Sequence, residues 1–519
     1  MTPAPAPTPT PQTSTNVLTY HNDMARTGQN LTETILTHAN VNSASFGKLL
    51  TISVDGKVDA QPLYVSQLAI AGQTHPVVFA ATEHDSVYAI DANNGSVLWH
   101  VTLLAAGESP SDDHGCGQVT PEIGATATPV IDLSAGPHGT IYTLGMSKDS
   151  SGNYHHRLHA LDLATGQEEF GGPTEIAASY PGSGDNSSNG QVVFDPKQYK
   201  SRPGLLLLNG VVYTGWGSHC DFRPYTGWLM GYDHLTLKQV SVFNFAPNGN
   251  EAALWHSGGG IAADSASGRI FVAVSNGTFD TTLDARGFPE HGDFGNAFVR
   301  LNTANGQLVP EDYWTMSNTV SESGQDQDLG SGGVLLLPDL QDAGGQTIQL
   351  GTGAGKDGRL YVFNRSNMGK FSSQNNSTLY QEPSGALSGA VFSSPAWFNG
   401  SVYYGAAGDR IRAFNVSAGM LQSPASSMTD TFFDYPGATP AISANGTNNA
   451  ILWAVENVNP AVLHAYDATN LATELYNSKQ ASSGRDVFGA GNKYITPTIA
   501  DGRVVVGTTN SVVIFGLLK

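Results

Sequence analysis

The sequence predicts an all-β fold, an eight-bladed β-propeller of four-stranded antiparallel blades, and three observations carry that prediction. A short phrase recurs along the chain: an apolar stretch, an Asp or Asn, a polar turn usually containing Gly, and a second apolar stretch. Its copies stand about 50–70 residues apart, the period of a propeller or array built from strands. Glycine accounts for 60 of 519 residues and charged residues for only 13%, which suits a turn-rich chain rather than long solvated helices.

The phrase first occurs as VYAIDANNGSVLW. It returns as LHALDLATGQEEF, LMGYDHLTLKQVSVF, FVRLNTANGQLV, LYVFNRSNMGKF, IRAFNVSAGML and LHAYDATNLATEL, and SVVIFGLLK begins an eighth copy. Alternating apolar residues make a half-buried strand. Asp91, Asp162, Asp233, Asn302, Asn364, Asn415 and Asp467 open the turns. An Asp or Asn there bonds the backbone two residues on, and Gly supplies a positive φ. Each copy is thus one hairpin, the outer half of a blade.

Inner strands are announced by small residues and Pro. In order they are DAQPLYV (59–65), ATATPVID (125–132), RPGLLLLNGVVY (202–213), SGGGIAAD (257–264), GSGGVLLLP (330–338), SSPAWFNGSVYY (393–404), ATPAISANG (438–446) and ITPTIADGRVVV (495–506). The segment FGKLLTISVDG (46–56) reads as an outermost strand with no inner strands before it. Added to the last blade, it would close the ring and remove exposed edges. Residues 166–201, 278–297 and 310–329 are long polar insertions, expected to surround one mouth of the axial channel.

A formal net charge of −20 disfavours nucleic acid, whose phosphates need Lys and Arg, and an anionic membrane surface. No apolar run is long enough for a transmembrane helix. Residues 1–18 form a Pro/Thr/Ala-rich tract read as a disordered tether, leaving 19–519 as one propeller. Such a tether is expected on a secreted or periplasmic protein, lipid-anchored through that tract. Cys116 and Cys220 are the only cysteines. Both fall in loops assigned to one face of the propeller, and an exported chain would join them in a disulfide.

The repeat, blade count and closure resemble the propeller of the quinoprotein alcohol dehydrogenases over roughly residues 46–519; the cofactor-free assembly lipoproteins of the BamB type share that repeat. In RIFVAVSNGTFD, Asn276 stands where the resemblance implies a calcium ligand. In DQDLGSGGVLLLP, Asp328, or else Asp326, falls at the position of the catalytic base. In GAGKDGRLYVFNR, Lys356 matches the residue that contacts the quinone oxygens. Cys116 falls where these enzymes carry two adjacent cysteines over the cofactor. Asp221 lies near the expected position of a metal-binding Glu. The chemistry coheres: a hydroxyl substrate needs a carboxylate base and a cation to polarise the acceptor, and calcium takes carboxylate and amide oxygens.

The chain also departs from that pattern. The aromatic residue on which the quinone stacks is replaced by small residues around Gly258 to Gly260, with Trp255 preceding them out of register. Only one cysteine occupies the vicinal-pair position. His219, beside Cys220, reads either as a funnel base or as a loop residue. Three functions follow as expectations. One is an oxidoreductase acting on alcohol or sugar hydroxyls with calcium and pyrroloquinoline quinone. Another is a cofactor-free module binding a glycan or a cell-envelope protein. The third is a polysaccharide lyase or hydrolase.

Overall fold

A computed structural model describes residues 15–519. It is all-β: among the described residues the one α-helix is the short segment Thr319–Gly324. Eight sheets succeed one another along the chain, each built mainly from consecutive antiparallel strands. Their first strands are Leu63–Ile70, Val130–Asp132, Leu206–Leu208, Ala262–Asp264, Leu335–Leu336, Ala396–Phe398, Ala441–Asn445 and Thr498–Ala500. We number the sheets 1 to 8 in that order. Two small hairpin sheets, at Ser179–Pro181 with Gln191–Val193 and at Leu340–Gln341 with Thr347–Ile348, lie in connecting segments.

Six of the seven turn-opening residues act as their chemistry dictates. Asp91 accepts from the Asn93 amide, Asp162 from Ala164, Asp233 from Leu235, Asn302 from Ala304, Asn364 from Ser366 and Asp467 from Thr469. Each bond fixes the turn that follows the third strand of its sheet. Asn415 differs: its carbonyl oxygen accepts from the Ser401 and Ser426 hydroxyls, because the strand Asp409–Ser417 runs on past it.

Apolar faces stack sheet on sheet. Tyr142 and Trp228 share a core between sheets 2 and 3, Leu229 and Val272 between 3 and 4, and Phe298 and Phe363 between 4 and 5. Tyr404 and Leu360 join 5 to 6, and Leu452 and Ile411 join 6 to 7. Sheet 8 packs on both flanks: Phe515 contacts the Trp453 cluster of sheet 7, while Val505 and Ile514 belong with Val65 and Ile141 of sheets 1 and 2. Its fourth strand is Phe46–Ser53, antiparallel to Ser511–Leu517. The result is a propeller-like fold.

Residues 1–14, most of the expected tether, lie outside the described residues. Residues 15–18 are part of the fold: Val17 is buried and exchanges backbone hydrogen bonds with Tyr64. From there residues 17–30 touch the first strand, or the residue before it, of all eight sheets. Leu18, Met24, Ala25, Thr27 and Gly28 carbonyls accept from the amides of Ile131, Ala263, Leu336, Trp397 and Ile442. Arg26 donates to the Leu205 and Ile261 carbonyls, and Asn30 to that of Ile499. First strands are edge strands with unpaired backbone groups. This segment satisfies at least one such group on or next to each.

Candidate functional site

In an antiparallel sheet the end of the second strand lies beside the start of the first. Residues at those two places therefore gather at one end of the sheets. Asp221 follows the second strand of sheet 3 (Val211–Ser218), Asn276 that of sheet 4 (Arg269–Ala273) and Lys356 that of sheet 5 (Leu350–Ala354). Trp255 and Asp328 precede the first strands of sheets 4 and 5. Asp221, Trp255, Asp328 and Lys356 line one pocket with Gln118, Ser218, Cys220, Ala253 and Ser275.

Asp328 is 2% exposed. Its Oδ1 accepts from the Asn276 amide at 2.8 Å, and its Oδ2 lies 2.6 Å from Lys356 Nζ. Asp326 reaches the same ammonium from the rim at 2.5 Å, and Lys356 Nζ stands 5.3 Å over the Trp255 ring. Burial pushes the Asp328 carboxyl up to about 7, with the Lys356 ammonium pulling it down and Asp221 adding like-charge repulsion. Burial also opposes the Lys356 charge, yet the two carboxylates outweigh it and raise its pKa. Asn276 is buried, its Nδ2 reaches Asp326, and its Oδ1 has no partner. Asp221 accepts from the hydroxyls of Ser218 and Tyr225.

Cys116 and Cys220 form a disulfide across 104 residues, and Cys220 lines the pocket. His219 does not line it. Its Nε2 faces the Tyr199 carbonyl, its ring stacks on His114, and burial with nearby Lys200 drives its pKa down to about 2. Asn296 escaped the sequence reading although it brackets Asp328: its side chain accepts from the Leu329 amide and donates to the Gln327 carbonyl. Lys200 was missed as well; Arg202 lies two residues on. Both are buried, and the pairing of Tyr199–Ser201 with the end of Val211–Ser218 brings them to this end of sheet 3.

The resemblance to the dehydrogenases implies a flat quinone and a metal here, and the residues do not fit them. A Cβ on Gly260 would lie 2.7 Å from Arg26 Nε, and one on Gly259 2.5 Å from Ser394 Oγ. Arg26 and Ser394 thus occupy the space that the aromatic floor would need. The void within the pocket is about 30 Å³, room for about one water. Among the described residues no three His, Cys, Asp or Glu side chains converge to hold a metal. The Lys356 ammonium already neutralises Asp326 and Asp328.

The family model for the glucose/ethanol/alcohol dehydrogenase β-propeller domain matches residues 59–370. Similar solved structures include the quinohemoprotein alcohol dehydrogenase ADHIIG from Pseudomonas putida HK5, at 14% identity and TM-score 0.64, covering 97% of this chain and 80% of that one. The quinohemoprotein alcohol dehydrogenase from Comamonas testosteroni is 14% identical at TM-score 0.60, covering 96% and 80%. A europium-containing methanol dehydrogenase is 13% identical at TM-score 0.59, covering 97% and 98%. These likenesses are of fold. Comparison with curated proteins gave no match.

Proposed function

This chain belongs to the glucose/ethanol/alcohol dehydrogenase β-propeller family, and from that premise we propose that it is an exported propeller binding a small hydroxylated molecule, such as a sugar, without a resident quinone. In this reading the eight sheets are blades of one ring, closed where Phe46–Ser53 joins sheet 8. Packing of sheet 8 against both sheet 7 and sheet 1 supports that closure. The disulfide supports export.

One observation carries the reading. The polar half of a hydroxyl-handling site is built, while Arg26 and Gly260 fill the place of its aromatic floor. Near neutral pH the Asp328 carboxyl both accepts and donates hydrogen bonds, and Lys356 donates. The void takes a single hydroxyl of a molecule that lies outside it, and that hydroxyl hydrogen-bonds to the outer side of the Asp328–Lys356 pair. Titration calorimetry with neutral sugars and alcohols tests this: Asp328→Asn and Lys356→Met each weaken binding roughly tenfold or more. Unchanged affinity in both variants refutes the site.

A second reading, an oxidoreductase acting on alcohol or sugar hydroxyls, is favoured by the arrival of Asp221, Asn276, Asp328 and Lys356 from three successive sheets. Asp328 would take the hydroxyl proton and Lys356 would stabilise developing negative charge. Reduction of an artificial acceptor dye by an alcohol or aldose, lost in Asp328→Asn, supports this reading over the first. No turnover across the panel removes it.

A further inference from the structure

Arg202 is 2% exposed, and among the described residues it has no carboxylate within ion-pair distance. Its Nε and Nη2 have no hydrogen-bond partner at all. Those two atoms form one edge of the guanidinium, the fork that takes two oxygens of a carboxylate or phosphate. Arg26 is equally buried and shows the contrast: its Nε, Nη1 and Nη2 all donate, to Ile261, Thr19, Tyr20, Asp23 and Leu205 oxygens. Burying an uncompensated charge is expensive. This chain carries 44 acidic residues against 24 basic ones, and it places none of them beside Arg202.

The surroundings are cationic and aromatic. Lys200 is buried, donates to Gln118 Oε1 at 3.0 Å, and has no carboxylate partner. The Arg202 guanidinium stands 4.7 Å over the Tyr494 ring. Tyr494 meets Tyr435 hydroxyl to hydroxyl at 3.1 Å, Tyr435 packs on Phe392, and Phe392 packs on Trp255. Trp255 in turn carries Lys356. One aromatic wall therefore runs from Arg202 to the Asp328–Lys356 pair, and Tyr435, 46% exposed, brings it to solvent. Lys493 stands 5.5 Å over Tyr435.

We propose that the ligand is an acidic sugar, its carboxylate or phosphate held by the Nε–Nη2 edge of Arg202 and its hydroxyls reaching Asp328 and Lys356 along this wall. The inference rests on the binding reading above and adds the ligand class. A sugar ring suits the wall, since its apolar face packs on aromatic rings while its oxygens reach polar groups. The anionic group removes the cost of the unpaired guanidinium.

The test is titration calorimetry of the full chain with D-galactose, D-galacturonate and D-galactose 1-phosphate, in wild type, Arg202→Gln and Arg202→Lys. At least one acid is expected to bind roughly 10- to 100-fold more tightly than galactose, and the preferred acid identifies the anionic group. Arg202→Gln abolishes the preference and leaves galactose affinity unchanged; Arg202→Lys keeps charge without the fork and recovers part of it. Equal affinities, or a preference surviving Arg202→Gln, overturn the proposal while leaving the hydroxyl site intact. Failure of all three sugars to bind overturns both. If Arg202→Gln does not fold, the Arg202 Nε–H resonance of the wild type decides: it shifts with the acid and not with galactose, and equal response refutes the assignment.

Discussion

Arg26 lies directly against Gly260: a Cβ added there would meet Arg26 Nε at 2.7 Å and Cζ at 2.8 Å. Bonds to carbonyls of the N-terminal segment and of sheets 3 and 4 hold the guanidinium in place, so it cannot swing aside freely. Gly260→Ala is expected to destabilise the fold by about 1–3 kcal/mol through overpacking, seen as a lower urea midpoint. An unchanged midpoint means that Arg26 is not fixed there.

Four buried histidines work against stability in acid, while carboxyls raised by burial, such as Glu83, Asp85 and Asp328, work the other way. Burial drives His21, His156 and His256 down to about 4 and His219 to about 2. Their folded pKa values lie below the unfolded value near 6.5, so the unfolded chain binds more protons. The stability they contribute is present above about pH 6.5 and is lost as pH falls toward 4. Each group costs up to about 1.4 kcal/mol per pH unit in that window. Between pH 7 and 4 the urea midpoint of His156→Gln should fall less than that of the wild type, and equal falls contradict the assignment.

Lys200 carries the same sign in another window. Burial, with Arg202 beside it, lowers its ammonium to about 7 from 10.5. The penalty is complete below pH 7 and fades as pH rises toward 10.5. Lys200→Met should therefore raise the ligand-free melting temperature at pH 7, with a smaller gain at pH 9.5, while weakening galacturonate binding. A gain independent of pH contradicts the assignment.

The disulfide ties the loop before sheet 2 to the pocket lining of sheet 3. Closing a loop of 104 residues is worth about 2–4 kcal/mol in proteins generally. Cys116→Ala with Cys220→Ala should lower the urea midpoint accordingly and weaken sugar binding, because Cys220 lines the pocket. Unchanged stability and affinity rule out both contributions.

The fold was legible wherever side chains carry it. Asp and Asn at six of the seven turns make the bonds their chemistry calls for, and small residues, usually with Pro, mark the first strand of each sheet. Asp328, Lys356 and Asn276 could be picked out because the segments that carry them resemble those of the quinoprotein dehydrogenases. The N-terminal segment could not be read as it stands. Its bonds run mostly from backbone carbonyls to strands far along the chain, as with Thr27 to Trp397 and Gly28 to Ile442, and a backbone bond leaves no side-chain signature. Lys200 was hidden for a related reason: a buried ammonium is recognised only when its surroundings are known.

The central claim is that the pocket at Asp328 and Lys356 serves a hydroxylated ligand without a stacked quinone. Its most direct test is equilibrium binding of pyrroloquinoline quinone to the full chain in excess calcium, followed by gel filtration and absorbance of the protein peak. The account predicts no quinone travelling with the protein. Stoichiometric quinone in the peak, lost on Asp328→Asn or Lys356→Met, would contradict it and make the oxidoreductase reading the correct one.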